Sequence, residues 1–172
     1  MSKVYKRPSP CRASAESIYS FAETIAKALN LRAGSDLEPH VIRLGGSITY
    51  LPFAERDSRW ASITVEAFGI FTIQLPTITF PLQKRISIAH ELGHLFLHAN
   101  YGRVALKAYH DAKGENELVE YEANEFARAF LMPAKSVRRI AKIFNYDSIG
   151  VAAHFMVPEP VARQRMQDVG FQ

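Results

Sequence analysis

The sequence predicts an α+β fold, a small antiparallel sheet packed on helices, and three observations carry that prediction. Apolar residues follow helical spacing over 15–29, 82–98 and 118–131. Between the first two of these stretches lie short segments rich in β-branched and aromatic residues, punctuated by glycine. The chain has 172 residues, 48% hydrophobic and 22% charged, which is enough to bury one real core. That composition excludes a disordered chain, a collagen-like repeat and a disulfide-built miniprotein.

Taken in order, Arg7-Pro8-Ser9-Pro10 reads as a loose arm. Ile18, Phe21, Ala22, Ile25, Ala26 and Leu29 mark one face of a first amphipathic helix, which Gly34 and Pro39 bring to an end. Residues 40–44, 48–51, 62–68 and 70–75 read as strands of an antiparallel meander, with Gly45, Gly46 and Gly69 at the turns. Helical periodicity returns after Pro81, and a polar stretch over 99–117 reads as a loop. The next helix stops at Met132-Pro133, because proline removes a donor and restricts the residue before it. Short helices then fill 135–168. The expected division is a catalytic-type domain over 1–132 and a helical, helix-turn-helix-like segment over 133–172 packed on it.

No run of eighteen apolar residues occurs, and the first residues lack the apolar core of a signal peptide. A single cysteine, Cys11, cannot close an internal disulfide. The expectation is a soluble, cytoplasmic protein with no membrane partner. The net charge of +4 divides into +4 over 1–12, −3 over 13–132 and +3 over 133–172. Basic ends permit nucleic-acid contact, although ordinary solvated faces are the better account of such modest charge.

The chemistry lies in His90-Glu91-Leu92-Gly93-His94. On a helix, two histidines four apart leave the same face and hold one metal ion between them. Glu91 points about 100° away around the axis, where a general base for an activated water belongs. A zinc ion lowers the pKa of its water to about 7. A catalytic zinc takes three protein ligands. Glu120, Ala123, Asn124 and Ala127 form one stripe of the following helix, and the two alanines allow close approach. Glu120 is therefore the third-ligand candidate, with Glu122 its rival, and Asn124 is placed to support a histidine. His98 extends the face of His94, where it lines the cleft, orients a ligand or, at least as readily, serves a plain packing or surface role. Tyr101, Tyr109 and His110 are candidates to stabilise the oxyanion of peptide hydrolysis.

Residues 85–98, Arg-Ile-Ser-Ile-Ala-His-Glu-Leu-Gly-His-Leu-Phe-Leu-His, are followed by Glu120-Tyr-Glu-Ala-Asn-Glu-Phe-Ala127 and Phe130-Leu-Met-Pro133. Together these blocks resemble the ImmA/IrrE family of metallopeptidases, over most of the chain from about Ala15. The resemblance implies a gluzincin-like fold, with His90 and His94 as zinc ligands, Glu91 catalytic and Glu120 the third ligand. Manganese or iron suits the same donors. The implied substrate is a helix-turn-helix transcriptional repressor, often encoded nearby in a mobile element or stress-response locus, whose cleavage derepresses genes. The alternative is a zinc-stabilised regulator or toxin–antitoxin partner that acts by binding. A zinc site that is purely structural needs no base beside it, which favours the peptidase.

The C-terminal Ala152-Ala153, Phe155 and Val157 lead into a helix bearing Arg163 and Arg165, a helix-turn-helix-like step. DNA contact through those arginines ranks below scaffold or partner contact.

Overall fold

A computed structural model describes residues 3–52, 61–109 and 117–171. Helix α1 (Ala15–Ala28) starts where Ser14 Oγ accepts the Ser17 N–H at 3.2 Å, satisfying one free donor of the first turn. It buries Ile18, Ala22 and Ala26. A short helix α2 (Glu38–Arg43) follows, then β1 (Gly46–Leu51), β2 (Ala61–Ala67) and β3 (Ile70–Pro76). Helix α3 (Pro81–Gly93) runs directly into a π-helical turn, His94–His98. Strand β4 (Leu106–Tyr109) precedes α4 (Glu117–Leu131), and α5 (Ala134–Ile143), α6 (Ser148–Phe155) and α7 (Glu159–Asp168) close the order.

The α+β class agrees with the sequence, but four local expectations give way to tertiary structure. Residues 40–44, expected as a strand, form most of α2. Pro39 sits in its first turn, and buried Leu37, Val41 and Leu44 recur at helical spacing, while β-branched Ile42 is 69% exposed. The sheet is mixed, in the order β1-β3-β2-β4, with β1 parallel to β3 and β2 antiparallel to β3 and β4. The hairpin signal at Phe68-Gly69 fixes the local β2–β3 pair, whereas β1 chooses its neighbour through long-range packing. The supposed loop after the His90–His94 motif contains β4, whose pairing with β2 no local pattern announces. The N-terminal arm is tied down: Lys6 N–H donates to Ala105 O at 2.9 Å, Lys107 N–H donates to Lys6 O at 3.0 Å, and Pro8 is buried.

Helix α4 is the central beam, packed against α1 on one side and α3 on the other. Phe96, Phe126 and Phe130 stack in series at 5.8 and 5.6 Å beneath Phe21. The small residue at the α3–α4 crossing is Gly93: a Cβ there would lie 3.0 Å from both Cα and O of Ala123. The helices therefore approach closely at the position between the two motif blocks.

The C-terminal helices return to α1 and α4. Arg128 pairs with Asp168 at 3.2 Å. Arg165, only 1% exposed, lies 4.6 Å from the centroid of the Tyr19 ring and donates to Met132 O and Glu23. Of the two arginines expected on a recognition helix, Arg165 thus faces inward. Arg163 is exposed and pairs with Glu159 one turn earlier. No described helix is long and apolar enough to cross a membrane.

Candidate metal centre

The structure brings His90, His94 and Glu120 together, and they form a group of potential metal ligands among the described residues. The Nε2 atoms of His90 and His94 lie 3.1 Å apart, and Glu120 turns one carboxylate oxygen to each, at 3.1 Å from His90 and 3.4 Å from His94. Tetrahedral zinc with bonds of 2.0–2.1 Å separates its ligand atoms by about 3.3 Å, so these spacings fit such an ion.

The surrounding hydrogen bonds set the direction of both imidazoles. His90 Nδ1–H donates to Asn124 Oδ1 at 2.9 Å, which leaves the Nε2 lone pair facing the cluster. Glu122 is a carboxylate that accepts, so His98 Nε2–H donates to it at 3.0 Å and His98 Nδ1 becomes an acceptor. His94 Nδ1–H donates to that atom at 3.0 Å, and its Nε2 lone pair also faces the cluster. Two lone pairs and a carboxylate then converge on one point, an arrangement that a cation relieves.

The electrostatics agree. Partial burial pushes the Glu120 carboxyl up, but hydrogen bonds with His90 and His94 carry it well below the usual carboxylate range. Burial pulls His90 down, yet its bond to Glu120 and the charges of Glu91 and Glu120 raise it overall. His94, deeper in the protein, is pulled down to about 4, with burial the largest cause. Burial also lowers His98, against the hydrogen bond and charge of Glu122. Glu122 is raised by burial and lowered more by its bonds from His98 and from the Cys11 and Arg12 N–H groups.

Glu91 stands apart from the three ligand candidates. It is 5% exposed, and burial pushes its carboxyl up to about 7, against the charge of His90 and a hydrogen bond from Ser62 Oγ at 3.0 Å. Ser62 is the site residue that sequence reasoning missed. Residues 61 and 63 of β2 face 109 and 108 of β4, so Ser62 is the extra residue of a β-bulge, and both Ser62 and Ile63 turn inward. A serine in a strand gives no hint of this; the consecutive buried positions appear only once β4 is paired.

Other candidates fall elsewhere. Glu122 lies outside the ligand cluster and holds His98. The Tyr101 hydroxyl donates to Leu44 O at 2.9 Å and its ring stacks on Phe96. Tyr109 ends β4 opposite Ala61, beside the bulge. His110 lies outside the described residues. A cavity of about 260 Å³, lined by Ile86, Asn124, Arg128, Pro160, Val161 and Gln164, adjoins the centre through Asn124.

A small sheet laid on a two-histidine helix, with a glutamate of the next helix beside both imidazoles, presents a donor set of the kind found in metal-dependent hydrolases. Residues 43–167 match the family model Peptidase_M78, described as the IrrE N-terminal-like domain. The chain belongs to this ImmA/IrrE family. Metallopeptidase ImmA of Bacillus subtilis (strain 168) is 28% identical over 88 residues, 51% of each chain. A solved Mycobacterium tuberculosis transcriptional regulator superposes with a TM-score of 0.59 at 18% identity, covering 88% of this chain and 47% of that one. That likeness is one of fold. The chain spans about half the length of the relatives it matches.

Proposed function

We propose that this protein is a zinc-dependent endopeptidase that hydrolyses one peptide bond in a regulatory protein, a helix-turn-helix repressor being the substrate that the family resemblance favours. The observation that carries the reading is the convergence of His90 Nε2, His94 Nε2 and the Glu120 carboxylate beside a buried Glu91. Two imidazoles and a carboxylate are the donors of catalytic zinc sites that retain an open position. When bound, the ion polarises the scissile carbonyl and makes water a nucleophile near neutral pH.

The chain's own residues do the rest. Asn124 holds His90 in the tautomer that presents Nε2. Glu91 takes a proton from the attacking water and returns it to the leaving amine, a role suited to a carboxyl whose pKa burial has moved up to about 7. Ser62 fixes the orientation of that carboxyl from the bulge. The cavity beyond Asn124 provides space for a substrate side chain. The helices after Pro133 are read as a supporting segment, since Arg165 and Asp168 are committed to α1 and α4.

The test is incubation of the purified chain with the helix-turn-helix protein encoded beside it, with zinc or manganese, alongside the Glu91→Gln and Glu120→Ala variants. Discrete metal-dependent fragments are expected, lost in Glu91→Gln at full metal content and lost in Glu120→Ala together with the metal. Stable binding without cleavage under every metal would overturn the peptidase reading in favour of a zinc-stabilised regulator.

A further inference from the structure

The N-terminal arm reaches the metal centre through a chain of hydrogen bonds. Cys11 N–H and Arg12 N–H donate to the two oxygens of Glu122, at 2.9 and 2.7 Å. Glu122, itself 1% exposed, accepts from His98, and His98 accepts from His94. Successive N–H groups aimed at one carboxylate form an anion-holding nest. Arg12 adopts a left-handed backbone, φ 55°, to make it. Such a conformation costs a non-glycine residue energy and persists where the surroundings impose it. Lys6 anchors the arm on the edge of β4, and the Tyr5 ring lies 4.4 Å from Lys107 Nζ. Residues 3–42 lie outside the stretch that matches the family model, so this anchorage belongs to the chain and not to that match.

We infer that Glu122 and His98 are positioning residues for the ligand His94, and that the backbone of residues 11 and 12 is the far end of the device that orients it. Glu122 fixes His98 as a donor at Nε2, which leaves His98 Nδ1 able only to accept. His94 must then donate from Nδ1 and present its Nε2 lone pair to the cluster. A negative charge at the end of the chain also makes that lone pair a better donor, as carboxylates behind metal-binding histidines do. The arm holds the carboxylate at the right place without touching the metal ligands itself.

The inference rests on the metal reading of His90, His94 and Glu120, and the experiment separates the two. Zinc affinity of the full chain is measured by competition with a chromophoric chelator, with metal-free melting recorded in parallel. Glu122→Gln is expected to weaken zinc about ten- to a hundredfold, and Glu122→Asp to recover part of the loss. Cys11→Pro, which removes one N–H, should weaken binding by a smaller factor than Glu122→Gln and by more than Cys11→Ala, which keeps the N–H and removes only the thiol beside Glu122. Unchanged affinity in Glu122→Gln overturns the inference while the metal site stands. If Glu122→Gln does not fold, the Cys11 pair decides, and equal affinity of Cys11→Pro and Cys11→Ala overturns it. Failure of the unaltered chain to bind zinc overturns both readings.

Discussion

Replacing Gly93 by alanine tests whether the α3–α4 spacing sets the metal centre. The new Cβ would sit 3.0 Å from Cα and O of Ala123 and 3.3 Å from its Cβ, so the helices must part by a few tenths of an ångström. Overpacking of this kind costs about 1–3 kcal/mol. The gain in helix propensity offsets about 1 kcal/mol of that. The metal-free protein is therefore expected to lose about 0–2 kcal/mol, no more than about 8 °C of Tm for a chain of this size. Metal binding should suffer more specifically. Without metal the helices relax apart, whereas a bound ion requires His90, His94 and Glu120 at their present spacing, so the strain returns on binding. A strain of about 1–2 kcal/mol weakens affinity roughly five- to thirtyfold. Chelator competition and melting curves with and without zinc measure both quantities. Ala123→Gly should give little rescue, because the nearest atoms at residue 123 are backbone. A Gly93→Ala protein that binds zinc as tightly and melts several degrees higher would refute the reasoning.

Ser62→Ala should leave zinc content unchanged and lower kcat/KM about tenfold or more, since a hydrogen bond to a charged partner contributes about 1.5–3 kcal/mol; an unaltered rate would remove Ser62 from the site. Arg165→Ala removes a cation buried against Tyr19, Glu23 and the Met132 carbonyl. It should cost about 3 kcal/mol, read as a fall of roughly 6–12 °C in Tm, and an unchanged Tm would mean that the C-terminal helices are not pinned there. Glu38 is held below the usual carboxylate range by hydrogen bonds from Lys84 and Tyr50. Its folded pKa is depressed, so its contribution is present above the unfolded value of about 4.3 and lost as pH falls through the folded one. Lys84→Met should lower stability at pH 7 by no more than about 1 kcal/mol, since the pair is partly exposed. That difference should shrink below about pH 4, and a difference independent of pH would rule out the ion pair as its cause.

The readable parts of this protein are those in which the signal is short-range. His90 and His94 are four residues apart on one helix, and Glu120 and Asn124 share one helical stripe, so periodicity groups them before any tertiary contact is known. The β2–β3 hairpin at Phe68-Gly69 is local in the same way. The misread parts each depend on a distant partner. Residues 40–44 carry β-branched side chains and still form a helix, because Leu37, Val41 and Leu44 meet the core together. Glu122 resembles Glu120 in sequence, and only its burial beneath the arm separates a residue behind the site from one in it.

By itself the sequence determined the α+β class, the helices bearing the motif and the donors offered to a metal, because helical spacing and residue chemistry are properties of neighbouring positions. Tertiary structure decided the parallel β1–β3 pairing, the bulge that turns Ser62 toward Glu91, the π-helical turn joining His94 to His98, and the inward course of Arg165. Each of these satisfies a buried polar group or fills space left by residues far along the chain. That requirement exists only once those residues have come together.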